Sequence, residues 1–483
     1  MGFTIGSGGL SAEWIANCTG GTVYTYSNGY KIKSDLCAED SVIRGVGIDT
    51  RTLAAGEIYI AIRGERLDGH DYIEAAVSGG AYAVLCERVP DDVSEGRFII
   101  VCDTGKALLD IAKAYKNQFD RLKLTVAVTG SVGKTTTKQF IYSVLSAKYN
   151  THKTPANFNN LIGLPQTVLM LSEEHEAVVL EMGMNSKSEI SQMSRAVNPD
   201  IGVITNIGTA HIGMLGSREA IRDAKLEITD GFTDKSILIK NGDEPLLDGI
   251  PGERVSFCDS AADVFIYNVR QTEAGGMSFD LKLYGSCIND LRIPVTGKHN
   301  VFNAAVACAV GSRAGLSDDE LKLGLISFEN TGSRQHIFDK NGITVIDDCY
   351  NASPEAMAAS LSVLKTVSEE KRLKNIYGRR IAVLGDMLEL GNHERELHIK
   401  TGEAVKENGI DCLYTVGESA ALISSGGFCG CCKCFGREGE EIKRLSDELK
   451  CDLRKGDVVL FKASHSVGLQ NVIKNVFGTE MQS

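Results

Sequence analysis

The segment Thr129–Thr136 reads Thr-Gly-Ser-Val-Gly-Lys-Thr-Thr, so two glycines and a lysine precede two hydroxyl side chains. Backbone N–H groups in such a turn, together with the ammonium of Lys134, suit the phosphates of a nucleotide, and the hydroxyl of Thr135 suits Mg²⁺. The general phosphate-loop pattern has Gly where Val128 stands, so the match is partial. We predict that the nucleotide contacts Gly130, Ser131, Val132, Gly133, Lys134, Thr135 and Thr136.

The flanking residues predict the strand and the helix that such a loop requires. Leu124–Val128 is an apolar run rich in the β-branched residues of buried strands, and a helical pattern extends from Lys134 to about Lys148. A strand, a glycine turn and a helix N-terminus in this order direct several N–H groups at a phosphate. An ordinary strand-to-helix turn is the alternative, and the context favours the phosphate site.

The length and composition predict a multidomain globular protein. A chain of 483 residues, 43% hydrophobic and 24% charged, is too long for one core. Apolar runs alternate with helix-length segments, which predicts α/β domains with parallel strands. We predict three domains, with the central one built on a P-loop-type, mostly parallel sheet and the C-terminal one Rossmann-like, at residues 1–122, 123–330 and 331–483.

The net charge of −12 argues against a general nucleic-acid or anionic-membrane binder, although local basic clusters decide whether a small anion binds. The N-terminus lacks a basic segment followed by an apolar one, and no uncharged apolar run approaches the roughly 18 residues that span a bilayer. We therefore expect a cytoplasmic protein without membrane insertion, acting as a monomer.

The chain has fourteen cysteines. Cys86, Cys308 and Cys412 stand in apolar surroundings and are typical of small buried hydrophobes. The cluster Cys429–Cys434 contains two overlapping Cys-x-x-Cys spacings. It has two interpretations: a structural zinc site, for which no second Cys or His pair stands nearby, or an exposed glycine-rich loop with reactive thiols, which is favoured.

Polar residues follow the predicted central strands, and ligands bind at the carboxyl ends of strands in open α/β sheets. Glu181 ends the run Ala177–Leu180, where a carboxylate would support Mg²⁺. His211 follows the run Ile201–Thr205 within Asn206–His211. Asn300 and Asn303 are three residues apart on one helix face and suit an adenine edge, or else a helix cap and a solvated amide.

The residues resemble the Mur ligases along the whole chain. The loop Thr129–Thr136 is similar to the Thr-Gly-x-x-Gly-Lys-Thr of this family, which explains Val128. Further segments that match the family are Asn157–Gly163, Glu181–Gly183, Asn206–His211, Ala224–Glu227 and Gly297–Asn303. Two segments of the third domain, Asp348–Pro354 and Leu384–Gly391, are similar to the branch that joins D-alanyl-D-alanine to UDP-N-acetylmuramoyl-tripeptide. The N-terminal segments Asp49–Arg51, Gly64–Arg66 and Asp68–His70 are similar to the same branch.

The resemblance implies ATP and Mg²⁺ as cofactors and assigns roles to single residues. The catalytic residues would be Lys134, Glu181, His211 and Lys225. One Mg²⁺ would be bound by Thr135 and Glu181. A second Mg²⁺ would be bound by His211 and by Lys225, which would carry a carbamate. Asn300, Asn303, Arg334 and Asp348 would complete the nucleotide site. The UDP-muramyl substrate would meet Thr50, Arg51, Asn157, Asn160 and Asn351.

Alternatives remain within and beyond the family. A sister ligase would add the third peptide residue, but its Asp-Tyr-Ala-His and Asp-Asn-Pro-Arg signatures are absent from the sequence; a folylpolyglutamate-type synthetase is a further relative. A regulatory P-loop NTPase that switches partners rather than making a bond would, if specific for GTP, carry Asn-Lys-x-Asp, which is also absent. A catalytically inactive binding protein would be expected to lack Lys134, Glu181 or Lys225. His465 and Gln470 stand where the family has Arg and Glu.

Overall fold

The computed structural model describes residues 3–6, 9–27, 30–33, 43–64, 66–91, 93–273, 275–330 and 334–478. Within them, the strands form three sheets of seven, nine and six strands, each flanked by helices, which confirms the predicted three-domain α/β fold. Glu65 of the segment Gly64–Arg66 lies outside the described residues. The division after residues 122 and 330 remains a prediction.

The first sheet has the order β1-β4-β5-β6-β7-β2-β3, parallel from β4 to β7 and antiparallel elsewhere. Its strands are β1 Phe3–Thr4, β2 Thr22–Ser27, β3 Tyr30–Lys33, β4 Gly45–Gly47, β5 Ile58–Ile60, β6 Ala83–Cys86 and β7 Gly96–Ile100. The helices are α1 Ala12–Thr19, α2 Ile73–Ser78, α3 Thr104–Lys116 and the 3₁₀ turn Gly69–Tyr72. The hydroxyl of Tyr115 on α3 donates to the Leu171 carbonyl (2.8 Å), joining this domain to the central one.

The second sheet has the order β16-β15-β14-β13-β12-β11-β8-β10-β9 and is parallel except for β14 to β16. Its strands are β8 Leu124–Thr129, β9 Thr151–Lys153, β10 Ala177–Glu181, β11 Ile201–Ile204, β12 Ile237–Asn241, β13 Glu253–Ser256, β14 Val264–Gln271, β15 Met277–Leu283 and β16 Ser286–Ile293. The helices are α4 Lys134–Leu145, α5 Gly163–Leu169, α6 Glu189–Val197, α7 Ile212–Leu215, α8 Arg218–Leu226, α9 Lys298–Arg313 and α10 Asp318–Ile326, with 3₁₀ turns at Glu227–Gly231 and Pro245–Leu247.

The third sheet has the order β17-β18-β22-β19-β20-β21 and is parallel except for β17. Its strands are β17 His336–Lys340, β18 Ile343–Asp347, β19 Arg380–Gly385, β20 Cys412–Val416, β21 Cys431–Phe435 and β22 Val458–Lys462. The helices are α11 Pro354–Leu373, α12 Glu394–Glu407, α13 Gly439–Asp452 and α14 Leu469–Phe477, with 3₁₀ turns at Gly391–His393, Ala420–Ser425 and His465–Val467.

The apolar runs in the sequence predict the parallel strands well, because strands of a parallel sheet are buried on both faces. The strands β8, β10 and β18 are buried at nearly every position. Ser317 and Glu320 form a capping box at the start of α10. The antiparallel strands β14 to β16 were not predicted, since exposed and buried residues alternate irregularly along them and the pairing shifts register twice.

Most of the cluster Cys429–Cys434 forms a strand, so the interpretation of this cluster as an exposed loop is wrong for those residues. Cys431, Cys432 and Cys434 lie in β21, the edge strand that pairs with β20. Across the described ranges, no three His, Cys, Asp or Glu side chains converge in a way that would hold a metal ion. Cys86, Cys308 and Cys412 are buried, as predicted. No helix in the described part of the chain combines the length and apolar character needed to cross a bilayer.

Candidate active site

A cavity of about 910 Å³ opens at the carboxyl ends of β8, β10 and β11 and is bounded on its other side by the third domain. It brings together most of the residues predicted from sequence: Ser131, Val132, Gly133, Lys134, Thr135, Thr136, Asn157, Glu181, His211, Asn300, Asn303, Arg334, Asp348 and Asn351. Gly130, Lys225, Asn160, Thr50 and Arg51 are not among its lining residues.

The loop between β8 and α4 depends on its two glycines. Gly130 and Gly133 have φ values of 152° and 82°, in the region that favours glycine. A Cβ atom on Gly130 would lie 1.9 Å from the Thr205 hydroxyl oxygen. Oδ1 of Asn206 accepts hydrogen bonds from the backbone N–H groups of Ser131 (3.1 Å) and Val132 (3.0 Å). The end of β11 therefore fixes the shape of the loop.

Helix α4 begins at Lys134, so the N–H groups of its first residues have no intrahelical acceptor and face the cavity. Nζ of Lys134 donates to the carbonyls of Gly130 (2.7 Å) and Ser131 (3.3 Å). Burial lowers the pKa of Lys134, attraction to Glu181 opposes this, and repulsion by Arg334 adds to it. The helix N-terminus and Lys134 together form a concentrated positive site for phosphate oxygens.

Glu181 ends β10 and is almost completely buried. Its carboxylate accepts hydrogen bonds from Thr135 Oγ1 (2.9 Å) and Asn159 Nδ2 (2.9 Å) and lies 3.2 Å from Nζ of Lys138. Burial alone would raise the pKa of Glu181, but Lys138, Lys134 and the Asn159 amide hold it below its usual value. Glu181 is therefore a buried anion beside a hydroxyl, and these two oxygen donors fit Mg²⁺ that also binds phosphate oxygens.

His211 has a φ of 64° and lies at the interface with the third domain. Its Nδ1 lies 2.7 Å from Oε2 of Glu389, and the two groups form an ion pair when the imidazole is protonated. The backbone N–H of Gly213 donates to the Glu389 carbonyl (3.1 Å). In this arrangement, a third-domain carboxylate contacts the histidine predicted to bind metal.

A second carboxylate of the third domain contacts the same loop. Glu355, in the first turn of α11, accepts hydrogen bonds from the backbone N–H (2.8 Å) and the hydroxyl (3.0 Å) of Thr209. Its side chain also covers Gly208, where a Cβ atom would lie 2.8 Å from the carboxyl carbon. Sequence reasoning assigned no role to Glu355, Glu389 or Asn206, because their partners are remote in sequence.

Lys225 is buried near the end of α8, and within the described residues it makes no hydrogen bond or ion pair. Burial, with repulsion from Lys134, lowers the pKa of Lys225 well below its usual value. The neutral amine is thereby favoured over the ammonium. A neutral amine is a nucleophile, whereas an ammonium would repel a metal ion.

The predicted adenine contacts lie at the start of α9 and are both buried. Oδ1 of Asn303 accepts from the Thr137 hydroxyl (3.0 Å). Nδ2 of Asn300 donates to the Thr296 carbonyl (2.8 Å) and to Oε1 of Gln335 (2.9 Å). Neither side chain is a solvated amide, so that part of the alternative interpretation is wrong.

Third-domain residues complete the cavity. Oδ2 of Asp348 accepts from Nζ of Lys462 (2.6 Å) and from the Ser360 hydroxyl (2.5 Å). Cζ of Arg334 lies 3.9 Å from the centroid of the Tyr350 ring, and the ring of His465 lies 6.3 Å from that of Tyr350. Arg334 and His465 thus both lie beside the Tyr350 ring in the third-domain part of the cavity.

The predicted substrate residues are spread more widely. Asn157 is exposed at the cavity, whereas Oδ1 of Asn160 accepts hydrogen bonds from the N–H groups of Ile162 (3.2 Å) and Gly163 (2.8 Å) just before α5. Arg51 is exposed and pairs with Asp49 (2.6 Å), which lowers the pKa of Asp49 to about 2. In this arrangement Thr50 and Arg51 are not part of the cavity.

Comparison with known proteins places this site in a family. Residues 128–311 match the Mur ligase middle domain, residues 333–465 the Mur ligase glutamate ligase domain, and residues 42–115 the Mur ligase family catalytic domain. A UDP-N-acetylmuramoyl-tripeptide--D-alanyl-D-alanine ligase of Bacillus subtilis is 40% identical, with 91% of this chain and 94% of that protein covered. The chain belongs to the Mur ligase family.

Other Mur ligases agree with this assignment. A ligase of the same name from Escherichia coli is 32% identical, with 92% of this chain and 96% of that protein covered. The MurF crystal structure from Acinetobacter baumannii superposes with a TM-score of 0.86 at 28% identity, covering 98% and 100% of the two chains. MurF of Thermotoga maritima in complex with ADP gives 0.78 at 28% identity, covering 90% and 97%.

A UDP-N-acetylmuramoyl-L-alanyl-D-glutamate--2,6-diaminopimelate ligase shares the fold at a TM-score of 0.52 and 16% identity. Its likeness to this chain is much lower than that of the MurF structures. The family positions occupied here by His465 and Gln470 have definite contacts: His465 lies beside Tyr350, and Nε2 of Gln470 donates to the Cys349 carbonyl (2.8 Å).

Proposed function

We propose that this Mur ligase joins D-alanyl-D-alanine to UDP-N-acetylmuramoyl-tripeptide, the two substrates that its relatives' names give, and that it converts ATP to ADP and phosphate. The observation that carries the proposal is the shared cavity, in which the phosphate loop and Glu181 face the third-domain segment Asp348–Pro354. That segment is the one that resembles the D-alanyl-D-alanine-adding branch.

The first step activates a carboxylate, which is a poor electrophile. A carboxylate oxygen of the tripeptide attacks the γ-phosphorus of ATP, the bond to the β,γ-bridging oxygen breaks, and ADP leaves as an acyl phosphate forms. Two anions must approach each other, so clustered positive charge is required. Lys134 and the N-terminus of α4 supply it on the central domain, and Arg334 lies close enough to repel Lys134.

In the second step the dipeptide amine attacks the acyl carbon, and the tetrahedral intermediate expels phosphate together with the former carboxylate oxygen. The amine loses a proton, and an amide bond remains. Water would hydrolyse the acyl phosphate, so the cavity must exclude it during reaction. The third domain, which already contacts the loop at Thr209 and His211, is positioned to do so.

Thr135 and Glu181 fit one Mg²⁺, which would neutralise phosphate charge when bound. We propose that Lys225 reacts with CO₂ to give a carbamate and a proton, which converts its amine to an anionic oxygen donor. Its burial and lowered pKa favour the neutral amine that this reaction needs. The carbamate and His211 would then hold a second Mg²⁺.

We assign the ends of the substrates to separate domains. Asn303 and Asn300 on α9, with Arg334 and Asp348 from the third domain, would bind the nucleotide. Thr50 and Arg51 would bind the uridine diphosphate end, with Asn157, Asn160 and Asn351 along the muramyl-peptide path. Because Thr50 and Arg51 lie outside the cavity here, productive binding requires the first domain to approach it.

The function is tested by phosphate release with defined substrate pairs. UDP-N-acetylmuramoyl-tripeptide with D-alanyl-D-alanine should give stoichiometric ADP, phosphate and a ligated product detected by mass. UDP-N-acetylmuramoyl-dipeptide with diaminopimelate or lysine should give background phosphate only. The reverse pattern would reassign the chain to the sister ligase.

A further inference from the structure

The sheet of the third domain has two ends with different surroundings. The carboxyl ends of β18 and β22 lead to Asp348 and Lys462 in the active-site cavity. The amino ends of the same strands, at Ile343 and Val458, lie roughly 15 Å away along strands of five residues. That opposite end takes no part in the proposed reaction.

Three chain segments meet at this opposite end. The backbone N–H of Gly456 donates to the Gly342 carbonyl (2.8 Å), and Gly378 packs so closely on Gly456 that a Cβ atom there would lie 2.0 Å from the Gly456 carbonyl oxygen. Nζ of Lys371 donates to Oδ1 of Asp339 (2.9 Å). The end of β17, the end of α11 and the loop before β22 therefore form one continuous surface.

Large apolar side chains project from this surface. Leu373, the last residue of α11, is 86% exposed, and Tyr377 is 72% exposed. Exposed apolar groups that are surrounded by polar residues mark interaction sites on protein surfaces. We name this region the basic end surface and define it by Lys340, Arg372, Leu373, Tyr377, Arg454 and Lys455.

The charges around these apolar side chains are positive and uncompensated. Lys340, Arg372, Arg454 and Lys455 are exposed and have no ion-pair partner within the described residues. The nearby carboxylates are already engaged by other cations, in the pairs Asp339–Lys371 (2.9 Å), Glu370–Lys374 (2.7 Å) and Asp457–Arg379 (2.7 Å). A chain of net charge −12 thus carries a local basic patch around exposed apolar groups.

We propose that the basic end surface docks on an anionic phospholipid membrane. Leucine and tyrosine tips insert at the boundary between headgroups and acyl chains, while lysine and arginine contact lipid phosphates. Docking by this end leaves the cavity, at the other end of the sheet, open to the nucleotide substrates.

Sedimentation with vesicles tests the proposal on the full chain. Vesicles with about half phosphatidylglycerol and half phosphatidylcholine should bind the protein, and pure phosphatidylcholine vesicles should not. The double variant Leu373→Ser/Tyr377→Ser and the double variant Arg372→Glu/Lys455→Glu should each lower the partition coefficient at least about tenfold, given that one basic residue contributes roughly fivefold. Both should keep normal ligase activity in solution, which shows that they fold.

The matched control is Leu323→Ser/Ile326→Ser, which removes two exposed apolar side chains (58% and 60%) from α10 in the central domain. This variant should bind anionic vesicles like the unmodified protein. The proposal is overturned if anionic vesicles bind no better than neutral ones, or if the control loses as much binding as the surface variants. Self-association and binding to a short RNA duplex are measured on the same variants. The proposal is also overturned if the surface variants lose one of these and still bind anionic vesicles like the unmodified protein.

Discussion

The two walls of the cavity are built in different ways. On the central-domain wall, polar side chains bond within their own domain: Asn206 fixes the phosphate loop, and Thr135 and Asn159 fix Glu181. The third-domain wall is internally bonded through Asp348 and Lys462, but its place over the other wall depends on interdomain contacts. The geometry of the first wall is set by one fold, whereas that of the second depends on domain orientation.

Specific side-chain contacts join the two walls. Gln335 bonds Asn300 and the Thr296 carbonyl, and its backbone N–H donates to Asp348 (3.2 Å). Glu355 and Glu389 contact Thr209 and His211. Substitutions on the central wall should therefore abolish most of the ligase activity. Substitutions at the contacts between the walls should lower the ligase activity and leave nucleotide binding largely intact.

The largest effect is expected at Lys134. Lys134→Ala removes the cation beside the transferring phosphoryl group, so kcat should fall by on the order of 100-fold or more, while the fold survives. Steady-state phosphate release measures kcat, and circular dichroism checks the fold. Lys148→Ala, just beyond the same helix, is the matched control and should stay near normal. Near-normal turnover of Lys134→Ala would contradict the role of the central wall.

The next effect concerns Lys225. If it acts as a carbamate, Lys225→Ala should lose at least about tenfold in activity, and millimolar acetate should restore part of it by supplying an oxygen donor. With ¹³C-labelled bicarbonate, the unmodified enzyme should show a carbamate carbon signal in the NMR spectrum that Lys225→Ala lacks. Absence of that signal together with near-normal activity of the variant would refute the idea.

A smaller effect is expected at the contact between the walls. Glu355→Ala removes both hydrogen bonds to Thr209 and should lower kcat/KM for ligation by roughly five- to tenfold, with little change in the affinity for ADP. Glu355→Gln keeps an acceptor oxygen and should recover part of the loss. Glu369→Ala, on the same helix but paired with Arg380, is the matched control and should change kcat/KM less than twofold. Equal effects at Glu355 and Glu369 would mean that the contact does not couple the walls.

The smallest effect is expected on the stability of the central domain, through the titration of His152. Burial lowers the pKa of His152 on β9 to about 4, and repulsion by His175 adds to this. A base with a lowered pKa in the folded state favours unfolding as the pH falls below its unfolded pKa of roughly 6.5. Between pH 7 and pH 5 the central domain should lose up to about 2 kcal/mol of stability from this group.

Hydrogen exchange in β9 and β10 at the two pH values measures that loss. His152→Gln cannot titrate, so it should flatten the pH dependence in these strands and leave exchange in the third domain unchanged. An unaltered pH dependence in the variant would assign the effect to another group.

The central wall was largely predictable from sequence because its signals are local. The glycines of Thr129–Thr136 and the apolar run before them specify strand, loop and helix, and Glu181 stands directly at a strand end. The interdomain contacts were not predictable, since Glu355 and Thr209 are 146 residues apart in the sequence. From the sequence alone, Glu355 and Glu389 are each typical of a surface residue. The cysteine cluster was wrongly predicted as a loop because it is rich in glycine and cysteine. Its pairing with β20, which is remote from the local sequence pattern, makes it an edge strand.

The central claim is that the tripeptide carboxylate is activated by phosphoryl transfer before it meets the dipeptide amine. The direct measurement uses UDP-N-acetylmuramoyl-tripeptide labelled with ¹⁸O in both oxygens of the carboxyl group that is ligated, together with ATP and D-alanyl-D-alanine. The account predicts that each ligation releases phosphate carrying one ¹⁸O atom and leaves one in the new amide carbonyl. Unlabelled phosphate, released with the ligated product, would contradict it.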